Sequence, residues 1–152
     1  MLHQAKRKRS LFSLIFAGLI LSVGCVGTKQ AAVDPNSIYA RLGGQLAINA
    51  AVELFYKKVL ADKSVNHYFE DIDMDKQRSK QKQFLAATFG GPVPYRGKNM
   101  RKAHAPLDLK ESDFNAIAGH LQATLKELKI NDKLIGEVMA VAASTKDDVL
   151  NK

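Results

Sequence analysis

The sequence predicts an all-α chain, on three observations. Apolar residues recur at a spacing of about three to four through most of 37–152. No apolar/polar alternation is long enough to make a strand of useful length. Helix-starting residues (Ser37, Asp73, Asn131) and helix-stopping ones (Gly43-Gly44, Gly90-Gly91-Pro92) bracket the periodic runs. With 152 residues, 46% of them hydrophobic, the composition is that of one globular domain with an adequate core.

Each element follows from its residues. Ser37 can cap a short helix that ends at Gly43-Gly44. Gln45 to Leu60 comes next, with Ile48, Val52, Phe55, Tyr56 and Val59 at helical spacing, and then a short turn holding Val65, Tyr68 and Phe69. Asp73 caps a helix that runs to Phe89, where the glycine pair and Pro92 stop it. Val93 to Asn99 is a loop, and only a brief helix fits between Met100 and Ala105 before Pro106. Lys110 to Lys129 has the cleanest stripe: Phe114, Ile117, Ala118, Leu121, Leu125 and Leu128. Asn131 caps a single final helix carrying Leu134, Ile135, Val138, Met139, Val141, Ala142 and Val149.

The first 24 residues read differently. Lys6–Arg9 is a positive segment and Leu11 to Val23 an apolar run, shorter than the roughly 20 residues a membrane span needs but of signal-peptide length. It ends at Leu21-Ser22-Val23-Gly24-Cys25, which resembles a permissive lipobox of bacterial lipoproteins, with Ser22 where Leu usually stands. Cys25 is the only cysteine, which fits lipidation and excludes an intramolecular disulfide. The alternatives are a plain secretory signal or an uncleaved anchor. The lipoprotein reading implies a membrane attachment through Cys25, a tether over 25–36, and a location in the cell envelope. Val26, where an Asp would signal retention, leans towards the periplasmic face of the outer membrane. The formal charge of +8 gives little support to nucleic acid as a partner. Four of the 23 basic residues and none of the 15 acidic ones precede Cys25, leaving +4.

Phosphate loops, dinucleotide fingerprints, zinc spacings and nucleophile elbows are all missing from the sequence. What stands out is the helix after Asp73. At about 100° per residue, Met74, Gln77, Gln81, Phe84, Leu85 and Thr88 share a face, and two of these six are amides. An unpartnered buried amide costs roughly 1–3 kcal/mol, so either the pair lies half exposed at the margin or the face meets a group needing donors. Among the histidines, His3 lies in the leader, His67 in a polar turn, and His120 flanks a stripe as a structural histidine would. His104 ends a one-turn helix pinned between Gly97 and Pro106, with Met100 one turn before it; an axial ligand and a structural or surface role are both open at this point.

Taken in order, these features resemble the group 1 truncated haemoglobins over nearly the whole chain from Ser37. The resemblance rests on Ile38-Tyr39, Leu42-Gly43-Gly44, Phe55-Tyr56, Val59-Leu60-Ala61-Asp62, Phe89-Gly90-Gly91, Tyr95-Arg96-Gly97, Met100-Arg101-Lys102-Ala103-His104 and Ala118-Gly119-His120-Leu121. It implies a two-over-two helical sandwich over 37–152 that binds haem b. It implies His104 as the proximal iron ligand, Phe69 as the aromatic at the porphyrin corner, and Phe84, Leu85, Met100 and Phe114 as apolar pocket residues. Tyr95 and Arg101 would contact propionates.

Tyr56, Gln77 and Gln81 match distal positions that face a bound diatomic ligand. Gln81 sits deepest, and Gln77, nearer the mouth, is free to swing outward as a gate. Lys80 matches a position that in some relatives supplies an internal sixth ligand; it equally fits a solvated face or a propionate contact.

The function implied is reversible binding of O₂, or of NO or CO, with slow O₂ release. One alternative is an NO dioxygenase drawing electrons from an external reductase, since the chain carries no reductase domain. Another is a haem-free helical interaction module.

Overall fold

The structure is a computed structural model, and it describes residues 32–152; Cys25 and the leader before it lie outside the described residues, as does most of the expected tether. Helix α1 (Ile38–Leu42) starts where Ser37 Oγ accepts from the Ala40 amide at 3.1 Å and ends at Gly43. Gly43 has φ 107, a left-handed conformation that a side chain would strain, and this lets α2 (Gly44–Ala61) leave at once in a new direction. A one-turn 3₁₀ helix at Asn66–Phe69 leads to α3 (Met74–Thr88), whose Asp73 cap accepts from the Lys76 amide. After an irregular loop come α4 (Met100–His104), a 3₁₀ turn at Ala105–Leu107, and then α5 (Glu111–Glu127) and α6 (Asp132–Ser144). A last turn of helix, α7, spans Lys146–Val149. There is no strand among the described residues, as the all-α reading required.

One expectation fails. The final helix is two, broken at Thr145. Apolar spacing runs through the break, so periodicity alone does not reveal it. The cause is two hydroxyls in succession: Ser144 Oγ donates to the Val141 carbonyl and Thr145 Oγ1 to the Ala142 carbonyl, each at 2.7 Å. The Thr145 amide also turns to Ala142, three residues back. Side chains that bond nearby carbonyls compete with the helix ladder, and here they redirect the chain.

Helix α2 is the spine. It packs on α3 and on α5, α5 packs on α6, and α1 closes against α6, so two helix pairs lie over each other. Ile48, Val52 and Val59 on α2 are at most 1% exposed and meet Val138 of α6 and Leu125 of α5 in one core. The pattern of helix α3 departs from this. Only Ala86 on it is buried, because much of its inner face borders a hollow.

Candidate functional site

A cavity of about 1200 Å³ opens between α2, α3, α4 and α5, larger than the roughly 300–1,000 Å³ of common small-molecule pockets. Its lining is largely apolar: Phe84 and Leu85 from α3, Met100 from α4, Leu107 and Leu109 after it, Phe114, Ile117 and Leu121 from α5. These half-buried side chains leave α3, α4 and α5 under-packed for a core, and an apolar occupant would cover them.

One wall carries the donors. Tyr56 on α2 is 2% exposed, with Phe55 edge-on at 5.1 Å between ring centroids and Phe69 at 5.8 Å and 77°. Gln77 Nε2 donates to the Tyr56 hydroxyl oxygen at 3.0 Å. The first glutamine is thus turned onto the phenol and not outward in this structure. The Tyr56 oxygen uses one lone pair to accept, so its own proton stays available for a group in the cavity. Burial pushes the Tyr56 hydroxyl above its usual pKa of 10, against weaker opposing pulls from Gln77 and Arg78, so it stays a donor at neutral pH. Gln81 lines the same cavity half-buried, and its amide has no protein partner among the described residues.

The corner that brings Phe69 to Tyr56 is tied at two places. Tyr68 donates through its hydroxyl to Asp113 of α5 at 2.9 Å. Asp62, at the end of α2, accepts from Ser64 and pairs with His120 of α5 at 2.7 Å, so His120 is a structural histidine, as its position beside the stripe suggested.

On the other wall stands His104. Asn99 caps α4 by accepting from the Lys102 amide at 2.9 Å, which starts a helix of five residues just where the loop ends. His104 Nδ1 lies 2.8 Å from the Met100 carbonyl one turn back. A carbonyl only accepts, so Nδ1 carries the proton and Nε2 is left with a lone pair, the tautomer a metal ligand needs. His104 is the one histidine among the described residues that lines the cavity; His67 stacks on Tyr68 in an exposed turn. No cluster of three or more His, Cys, Asp or Glu side chains able to hold a bare metal ion occurs among the described residues.

The mouth is cationic. Lys80, Arg96, Lys98 and Lys102 are exposed and line the cavity, and none has an ion-pair partner among the described residues. Of these four, sequence reasoning gave a site role to Lys80 alone; Arg96 and Lys102 stood in it only as motif residues. The available signal was four cations and no acid in Arg96–Lys102, directly before His104. Tyr95, also lining the cavity, stacks edge-on against Phe84 at 5.3 Å and lies over Gly97, where a Cβ would come within 2.1 Å of its hydroxyl. Arg101 does not line the cavity as expected. It points to the C-terminus, with Nε on Asp148 at 3.1 Å and Nη2 on the Lys152 main-chain oxygen at 2.8 Å.

Comparison with known proteins agrees with this geometry. The family model described as "Bacterial-like globin" matches residues 37–151. A group 1 truncated hemoglobin of Tetrahymena thermophila is 49% identical over 116 residues, covering 76% of this chain and 96% of its own length. One from Synechocystis is 46% identical over 123 residues, covering 77% and 99%. Among solved structures, the 2/2 hemoglobin of a Synechococcus species in the cyanomet state with covalently attached heme superposes with a TM-score of 0.74 at 44% identity, covering 76% of this chain and 99% of that one. The Fe(III) form of truncated hemoglobin from Tetrahymena pyriformis gives 0.73 at 49% identity with the same coverage. The fold is the two-over-two helical sandwich of these neighbours, and the chain belongs to the bacterial-like globin family, among relatives named group 1 truncated hemoglobin.

Proposed function

We propose that this chain binds haem b in the cavity and reversibly takes up O₂, with NO and CO as competing ligands. The observation that carries the reading is His104: a single imidazole with its Nδ1 proton spent on the Met100 carbonyl and Nε2 free, in the same apolar hollow as the Tyr56–Gln77 pair. With no group of three or more His, Cys, Asp or Glu side chains able to hold a bare ion among the described residues, that imidazole suits an iron whose remaining equatorial ligands come from a macrocycle.

Phe84, Leu85, Met100 and Phe114 would cover the porphyrin faces, and Phe69 its corner. Lys80, Arg96, Lys98 and Lys102 would offer ammonium and guanidinium partners to its two carboxylates. This role for Lys80 replaces iron ligation in the reading, since the side chain is already one of a set of exposed cations. The only cysteine stands at position 25, before the domain, so thioether attachment through a C-x-x-C-H motif is excluded and the haem is held without it.

When bound, haem supplies the iron centre that takes up a diatomic gas. Tyr56 and Gln81 would supply donors to a ligand held there, and Gln77 holds the phenol in place. A hydrogen bond to a charged acceptor is worth roughly 1.5–3 kcal/mol, which makes slow O₂ release the expected property.

Absorption spectra of the purified ferric, ferrous and CO-bound protein test the reading. A Soret band that is lost, or whose haem affinity falls at least about 100-fold, in His104→Ala is expected; a wild-type chain with no Soret band after reconstitution with hemin overturns it in favour of a helical interaction module. The envelope location remains part of the proposal. Mass spectrometry of the native protein should find an acylated Cys25 as first residue, and an intact Met1 would remove the lipoprotein assignment.

A further inference from the structure

The helix that carries His104 has little of its own to rest on. It is a single turn with no buried residue, preceded by an irregular loop and followed by a 3₁₀ turn. Apart from that following turn, the element packed extensively against it is α7. Helix α7 is the last turn of the chain, set off from α6 by the Ser144–Thr145 break.

Two sets of bonds fix α7 between its neighbours. Lys146 pairs with Glu111 at the start of α5 and lies 5.9 Å from the centre of the Phe114 ring. From α4, Arg101 reaches Asp148 through both Nε at 3.1 Å and Nη2 at 3.0 Å, and reaches the Lys152 main-chain oxygen at 2.8 Å. The same segment forms part of the cavity wall through Thr145 and Val149, the latter 9% exposed.

We propose that the C-terminal segment Thr145–Lys152 is a proximal latch, and that Arg101, through Asp148 and the Lys152 main-chain oxygen, is a positioning residue for the His104 imidazole. It touches neither the cavity nor any ligand in it; it acts by holding the turn whose Met100 carbonyl orients Nδ1. A guanidinium fork suits this because it bonds two acceptors in one fixed geometry, where a lysine would hold one point charge. Exposed ion pairs are individually weak, so the effect is local: the latch sets how often α4 opens, not whether the domain folds. The break at Thr145 is part of the device, since a straight α6 would not turn back across α4.

The inference rests on the haem reading for its consequence, but its structural part does not, and the test separates them. Hydrogen exchange followed by mass spectrometry is run on the full chain without haem, comparing wild type, Arg101→Ala and the double swap Arg101→Asp/Asp148→Arg. The amides of Ala103, His104 and Ala105 should exchange about three- to tenfold faster in Arg101→Ala while those of α2 stay unchanged, and the swap should recover part of the protection. Unchanged α4 exchange, or acceleration spread equally over α2 and α5, overturns the latch. With hemin bound, the iron–histidine stretching band of the ferrous protein should shift or broaden in Arg101→Ala. A wild type that shows no such band fails the haem reading alone, leaving the exchange result to judge the latch.

Discussion

The two walls of the cavity are built by opposite means. The donor wall stands on α2 and α3, helices of 18 and 15 residues, and its central group, Tyr56, is locked by burial, two aromatic edges and an amide. The histidine wall is one helical turn of five residues between a loop and a 3₁₀ turn, latched from outside by the end of the chain. Hydrogen-bond donors lose their effect with small displacements, so a rigid support under Tyr56 is what a selective donor needs. A metal–imidazole bond is strong enough to help order its own support, so the histidine turn tolerates looser packing before it is filled. The two walls should therefore fail differently when cut.

The largest cut on the donor side is Tyr56→Phe. It removes the phenol proton from the cavity and strands the Gln77 amide that donates to it. O₂ dissociation measured by stopped flow should rise about 10- to 100-fold, the range that a lost hydrogen bond of roughly 1.5–3 kcal/mol allows. Haem retention should stay close to wild type, because no bond of the histidine wall is touched. Arg101→Ala should show the reverse pattern, with O₂ release little changed and the histidine turn loosened. If Tyr56→Phe loosened α4 as well, the two walls would be one mechanical unit and the comparison would break.

Gln77→Leu should be milder and acts through Tyr56. The phenol keeps its proton but loses the group that orients its oxygen, so O₂ release should quicken by about fivefold, in line with a neutral hydrogen bond worth about 1 kcal/mol. A second readout separates orientation from simple loss of polarity. Gln77 pulls the Tyr56 pKa down against the upward push of burial, so removing it should move the phenol's titration further above 10, read from the ultraviolet tyrosinate band. An unchanged titration would mean that Gln77 does not hold Tyr56 in solution.

The donor wall was the more legible of the two in the sequence, for a physical reason. Ile48, Val52, Tyr56 and Val59 repeat at helical spacing because they are buried on the inward face of one helix, and Gln77 and Gln81 stood out because they interrupted such a stripe. The histidine wall carries no stripe. Its helix is too short for periodicity and buries nothing, so His104 was placed through its flanking glycine and proline and through family resemblance. Arg101 was misplaced for a related cause: a cation one turn from a ligand looks like a carboxylate partner until the break at Thr145 brings Asp148 beneath it. Nothing in the apolar spacing of Leu134 to Val149 reveals that break, because hydroxyl-to-carbonyl competition is set by local geometry and not by hydrophobicity.

The smallest expected effect lies at the seam between the donor wall and the rest. Asp62 ends α2, accepts from the Ser64 hydroxyl and amide, and pairs with His120 of α5, so it fixes the corner that carries Phe69 to Tyr56. Those bonds, the Ser64 hydroxyl foremost, then the Ser64 amide and His120, hold its carboxyl at about 2 against an ordinary 3.8. A carboxyl with a lowered folded-state pKa contributes stability that is present in full above the ordinary value and is lost as pH falls towards 2. Asp62→Ala should therefore melt below wild type at neutral pH, with the gap closing between about pH 4 and pH 2. A gap that persists below that window would mean the carboxylate's charge is not what matters there. The group is open to solvent, so the shift in melting temperature should be modest, and the sharper measurement is local. Exchange at the Val65 and Asn66 amides, which bond back to the Asp62 carbonyl, should quicken in Asp62→Ala while that of α4 does not. Acceleration in α4 would show that the corner and the histidine turn move together, and the division between a rigid donor wall and a separately latched one would have to be given up.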